Sequence, residues 1–172
     1  MSIDRGDGST VSSFERGFFA RVEHDQPIRT PARDMCVGPD PNSSWREIKV
    51  SVLDQPKLGQ RDYAARRFTL SENGKEKASA SFEVVVYNDH ETAARVFAGT
   101  LERMSFLRLA RLDLGDMAAF IEAPGHPSRK MRALIFAKRN VMGMIMLSTS
   151  LDQNIPDHWI IDKGRIMASR MA

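Results

Sequence analysis

The chain is 172 residues long, 42% hydrophobic and 27% charged, with a formal net charge of +3 at pH 7; this suits one domain with a non-core extension. Arg and Lys alternate with apolar positions over most of the length instead of gathering on one element, which speaks against a nucleic-acid surface. One cysteine, Cys36, rules out an internal disulfide and any thiolate metal site built from this chain alone, and no run approaches the ~18 apolar residues that span a bilayer.

Residues 1–10 are mostly Gly, Ser, Asp and Thr, with little to bury. The opening Met-Ser-Ile-Asp-Arg-Gly-Asp-Gly lacks an apolar core, so as written the sequence carries no signal peptide and reads as cytoplasmic; a trimmed signal would place it in a bacterial envelope. Val11, Phe14, Phe18 and Val22 then recur at spacings of three and four with Phe19 beside them, and Ser12-x-x-Glu15 fits a capping box, which predicts an amphipathic helix over 12–23. That helix either packs on the domain's own sheet or presents Phe14, Phe18 and Phe19 to a partner. Pro27, Pro31, Pro39 and Pro41 make residues 24–44 a linker. The expected division is an extension over 1–44 and a single domain over 45–172.

Trp45–Leu53 alternates, with Ile48, Val50 and Val52 on one face. Tyr63–Leu70 and Ala78–Tyr87 follow, joined through Asn73-Gly74, a pair that takes the positive φ values of a type I′ turn cheaply. A two-residue turn sets Phe68 and Leu70 opposite Ser79 and Lys77, so a bulge is predicted to bring the apolar faces back into line. Asn88 is the expected cap of a helix running to about Met104, with Ala94, Phe97, Leu101 and Met104 as its buried stripe. Leu107–Leu114 fits no template, Gly115-Asp116 reads as a turn, Met117–Glu122 as a strand and residues 123–128 as a loop.

Met131–Ser148 is predicted to be a hairpin turned at Arg139-Asn140, with Ala133, Ile135 and Ala137 facing Met146, Met144 and Met142 on one side, and Leu134 and Phe136 facing Ile145 and Gly143 on the other. Apolar on both sides, it belongs inside a sheet covered on both faces. A last helix starts near Pro156 and aligns Ile160, Gly164, Met167 and Met171; Gly164, which costs roughly 1 kcal/mol there relative to Ala, marks a close helix–sheet contact. Strands, helix, strands, helix make an α+β fold, an antiparallel β-sheet with packed α-helices.

Signatures of catalysis are missing: no phosphate-cradling glycine loop, no His-Glu-x-x-His, no Gly-x-Ser-x-Gly and no Cys-x-x-Cys. His24, His90, His126 and His158 each sit at a helix end or in a loop, and Arg61, Arg66 and Arg67 follow a half-exposed strand. The sequence assigns no catalytic residue, no metal ligand and no cofactor. Its one departure from routine is ten methionines, of which Met142, Met144 and Met146 line one hairpin face; flexible thioethers suit irregular core gaps and adaptable apolar surfaces alike.

From Val84 to Leu147, the Asp113-Leu114-Gly115-Asp116 step before a small-residue strand and the Lys138-Arg139-Asn140-Val141 turn resemble the small α+β domains of bacterial envelope lipoproteins and sensor-kinase ectodomains with a Mog1/PsbP-like sandwich fold. The sequence departs from them in lacking a signal sequence and a lipobox around Cys36, and in its long N-terminal extension. The resemblance implies a non-catalytic binding module with no catalytic residues to carry over. The function expected is therefore a binding or accessory domain, recognising a protein partner or an apolar ligand through the Phe14, Phe18 and Phe19 helix or the Met142, Met144 and Met146 sheet face. The alternatives are an enzyme of unrecognised type using His90, His126 or His158 with an acidic residue such as Asp89, and a nucleic-acid-associated subunit using scattered arginines.

Overall fold

Asn73 and Gly74 both take positive φ, 52° and 74°, and fold β2 (Gln60–Glu72) onto β3 (Lys75–Tyr87) with the twist that a two-residue turn supplies. The register slips between Leu70 and Ser71, so Leu70 faces Ala78 and Phe68 faces Ala80; the predicted bulge is present and aligns the apolar faces. The structure is a computed structural model that describes residues 26–52, 57, 59–124 and 126–172. The helix predicted over 12–23, and with it Phe14, Phe18 and Phe19, lies outside the described residues.

Before these strands come a single helical turn, α1 (Ala32–Met35), and the edge strand β1 (Trp45–Val52), which pairs with β2. β3 leads into α2 (His90–Arg103). Asp89 caps that helix instead of the expected Asn88, its carboxylate accepting the Thr92 N–H at 2.7 Å; Ala93, Ala94, Phe97, Ala98 and Leu101 are buried, and Met104 is the C-cap. β4 (Arg108–Leu112) settles the ambiguous stretch, followed by β5 (Met117–Ala123), β6 (Arg129–Lys138), β7 (Val141–Ser150) and α3 (Asp157–Arg170).

The seven strands form one antiparallel sheet in the order β1-β2-β3-β7-β6-β5-β4. Two meanders, β1–β3 and β4–β7, are thus joined through their last strands, and α2 is the crossover that carries the chain to the far edge. With these three helices among the described residues, the fold is α+β, as expected.

Each face carries its own core. On the front face Phe82, Val84, Val86, Phe120, Leu134, Phe136, Ile145 and Leu147 pack beneath α3 and the segment around α1; Phe68, Phe82 and Trp159 meet edge to face, and Trp159 stacks on Trp45 with centroids 5.5 Å apart. On the back face Val85, Met117, Ala119, Ile121, Ala133, Ile135, Ala137 and Met142 pack beneath α2. Gly164 is the close contact predicted: a Cβ there would stand 2.2 Å from a Leu134 methyl carbon.

Two expectations need correction. Ile28, Ala32, Met35, Cys36 and Val37 are all buried in the front core, so the stretch before Trp45 is not merely a linker. Its prolines fix an extended path that lays these side chains across the sheet. And the single apolar face expected of β1 is broken: a register shift between Glu47 and Lys49 takes Ile48, which lies with Arg67 and Thr69, out of alternation with Val50 and Val52, and all three stand 57–60% exposed at the sheet's edge.

Candidate functional site

The hairpin of β6 and β7 has the predicted register, Ala133 with Met146, Ile135 with Met144, Ala137 with Met142, Leu134 with Ile145 and Phe136 with Gly143. Its front side is closed. Its back side is closed along β6 from Ala133 to Ala137 but on β7 only near the turn, where α2 leaves β3. Met142 is buried there, whereas Met144 and Met146 are half-buried. The three thioethers expected to share one surface therefore divide into one core residue and two that reach the edge of α2's cover.

Beyond that edge the back face opens into a shallow concavity of about 320 Å³ in which Met131 and Met146 lie beside Thr69, Ser79, Ser81 and Ser148. Arg67 and Glu76 add one charge of each sign. Next along the same face, burial, and after it the charge and hydrogen bond of Glu83, push the Tyr63 hydroxyl up to about 12, so it stays protonated at neutral pH. The surface offers hydroxyls and polarisable sulfur, suited to holding a partly apolar molecule. Among the described residues its lining holds no histidine, and its one carboxylate, Glu76, is paired with Arg129 at 3.4 Å.

The other candidates fall apart in space. His126 and His158 are exposed, His126 Nδ1 lying 2.7 Å from the Ser128 hydroxyl, and among the described residues no three of His, Cys, Asp or Glu converge as metal ligands. Cys36 is buried with its thiol pushed up to about 11 by burial, and its Sγ–H donates to the Phe82 carbonyl at 3.4 Å. Arg61 donates to the Ile28 carbonyl, and Arg66 pairs with Glu47 at 2.6 Å while lying over the Phe68 ring.

The Leu114-Gly115-Asp116 step and the Lys138–Val141 turn lie apart in sequence; the structure brings them together. Gly115 takes φ 60° close against β6, where a Cβ would stand 2.7 Å from the Ala137 carbonyl oxygen. That places the Asp116 carboxylate to accept the Arg139 backbone N–H at 2.6 Å, holding Arg139 at φ 52°. Lys138 Nζ donates to the Ala168 and Met171 carbonyls at the end of α3, at 3.1 and 2.8 Å. Asn140, wholly buried, accepts the Ile28 N–H at 2.6 Å and donates to the Tyr87 and Ile28 carbonyls at 2.9 and 3.2 Å. One turn thus ties the N-terminal segment, β3, β5 and α3 together. Only an arginine at a positive-φ position, odd for a two-residue turn, hints at this in the sequence.

Among the described residues no helix is long and apolar enough to cross a membrane. No protein-family model matches the chain, and no curated protein matches it. Among solved structures, it is similar to the crystal structure of the extracellular domain of PknH from Mycobacterium tuberculosis, with a TM-score of 0.57 and 9% sequence identity, over 85% of this chain and 95% of that one. At that identity the likeness is one of fold.

Proposed function

We propose that this chain is a non-catalytic binding or accessory domain of the Mog1/PsbP-like kind, recognising a protein partner or apolar ligand on the open half of its back face. The observation that carries this reading is half-buried Met146, which lines a concavity of about 320 Å³ with half-buried Met144 next to it on the same face of β7. Met142 supports that row from inside the core, and Phe14, Phe18 and Phe19 supply a second contact surface. That an extracellular domain shares the fold supports a recognition role.

The test uses the full chain and an environment-sensitive apolar dye such as bis-ANS. The wild type binds it saturably, and Met146→Glu abolishes the signal with little change in melting temperature. Equal dye binding by Met146→Glu overturns the reading of this face. Partner capture from the native host, repeated with Phe14→Ala/Phe18→Ala/Phe19→Ala, assigns the N-terminal surface if the captured species is lost, and removes that surface if it is retained.

A further inference from the structure

On the front face, where β6 begins, β7 ends and residues 150–156 lead into α3, lies a second cavity of about 300 Å³. Lys130, Arg132, Ser150, Gln153, Asn154 and Asp157 line it. Arg132 is the unusual member. It occupies an interior strand and is only 4% exposed, a placement arginine takes only when its donors are satisfied. Its Nη1 donates to Asp157 at 2.7 Å, yet its buried Nε has no hydrogen-bond partner among the described residues.

The surrounding charges do not cancel. Asp157 also meets Arg108 at 3.5 Å, and Arg108 meets Glu122 at 3.3 Å. Among the described residues that line the cavity itself, two cations, Lys130 and Arg132, stand against one carboxylate, Asp157. The neighbouring Lys77–Asp152 pair is neutral and leaves that excess in place.

We propose that this cavity binds a small organic carboxylate. With one corner of its planar guanidinium committed to Asp157, Arg132 has donors left for a carboxylate, and Lys130 adds a second cationic contact. Ser150, Gln153 and Asn154 offer partners for hydroxyl or amino groups on the rest of the molecule. The volume is at the small end of the ~300–1,000 Å³ range of ligand pockets, which suits a metabolite-sized acid and excludes a folded partner. The Met146 concavity lies on the other face of the sheet, so the two readings stand or fall separately.

The experiment titrates the full chain with acetate, malate and glutamate at fixed ionic strength, reading backbone amide shifts. At least one acid should give a saturable shift centred on residues 149–157. Lys130→Ala should weaken it roughly tenfold, and Arg132→Lys should abolish it. If Arg132→Lys does not fold, Lys130→Ala and Asn154→Ala decide the matter. Absence of a saturable shift with all three acids, unchanged affinity in Lys130→Ala, or equal binding of inorganic phosphate overturns the proposal.

Discussion

Replacing Asn140 by alanine should be among the most damaging single changes in this protein. The side chain is fully buried and makes three hydrogen bonds across more than fifty residues of sequence. Its loss leaves the Ile28 N–H without its acceptor and the Tyr87 carbonyl without its side-chain donor, while the Ile28 carbonyl retains the Arg61 guanidinium. Each orphaned buried group costs about 1–3 kcal/mol, so two cost roughly 2–6 kcal/mol, a large part of the ~5–15 kcal/mol that holds a domain folded. At 2–4 °C per kcal/mol for a chain of this size, a mid-range loss of about 4 kcal/mol lowers Tm by roughly 8–16 °C. Asn140→Asp sharpens the test. It keeps the acceptor for Ile28 N–H but turns a carboxylate oxygen toward two carbonyls, so its folded-state pKa lies above the unfolded value. Its defect is then smallest below the unfolded Asp pKa and grows as pH rises through the folded one. Calorimetry and urea unfolding of both variants read these shifts. A Tm for Asn140→Ala within about 1 °C of wild type, or an Asn140→Asp defect that does not shrink in acid, would refute the role given to this turn.

Gly143→Ala should cost about 1–3 kcal/mol, read as a lowered urea midpoint, because a Cβ there would stand 2.4 Å from the ring of fully buried Phe136; an unchanged midpoint would show that the ring moves freely. Lys138→Met should cost about 1 kcal/mol by removing the donor to the last carbonyls of α3, with faster amide exchange confined to the end of that helix. Hydrogen bonds from Lys77 and then Ser150 lower the exposed Asp152 to about 2, from 3.8. Its contribution is therefore complete above pH 3.8 and lost as pH falls through about 2, and the stability gap between wild type and Asp152→Asn should close over that window. Cys36, with its thiol raised to about 11, should react with a thiol reagent at pH 8 far more slowly in the native than in the denatured protein, and equal rates would contradict its burial.

The strand register of the late hairpin was readable because a period of two leaves few alternatives once Arg139 and Asn140 occupy the turn. The bulge near Lys77 was readable for the same reason: without it the faces holding Phe68 and Phe82 disagree. Local patterning failed wherever a distant segment decides the outcome. The stretch before Trp45 looks like a linker by Pro27, Pro31, Pro39 and Pro41, and only the sheet it crosses reveals that Ile28 and Met35 are core. Alternation in β1 predicts an apolar face but not that the face lies at an edge, which depends on strand order. The exposure of Met146 likewise follows from the path of α2 and not from its neighbours in sequence. Arg132 was invisible because an arginine in an alternating strand looks solvated until Asp157, 25 residues on, is seen above it.

The two short motifs that carried the family resemblance turn out to be occupied internally. Asp116 is spent on Arg139, Lys138 on the end of α3, and Asn140 on Ile28 and Tyr87. Groups so fully engaged within the domain have little left for a ligand, so selection for the fold alone suffices to place them, whatever the domain binds. The proposed recognition surfaces use the places where the frame leaves chemistry uncommitted. The thioethers beside the back-face concavity and the surplus charge beneath the start of α3 both lie toward the strand ends remote from that turn, one on each face of the sheet. A locked end and an open end on one sheet let the binding surfaces vary without disturbing the contacts that hold the sheet together.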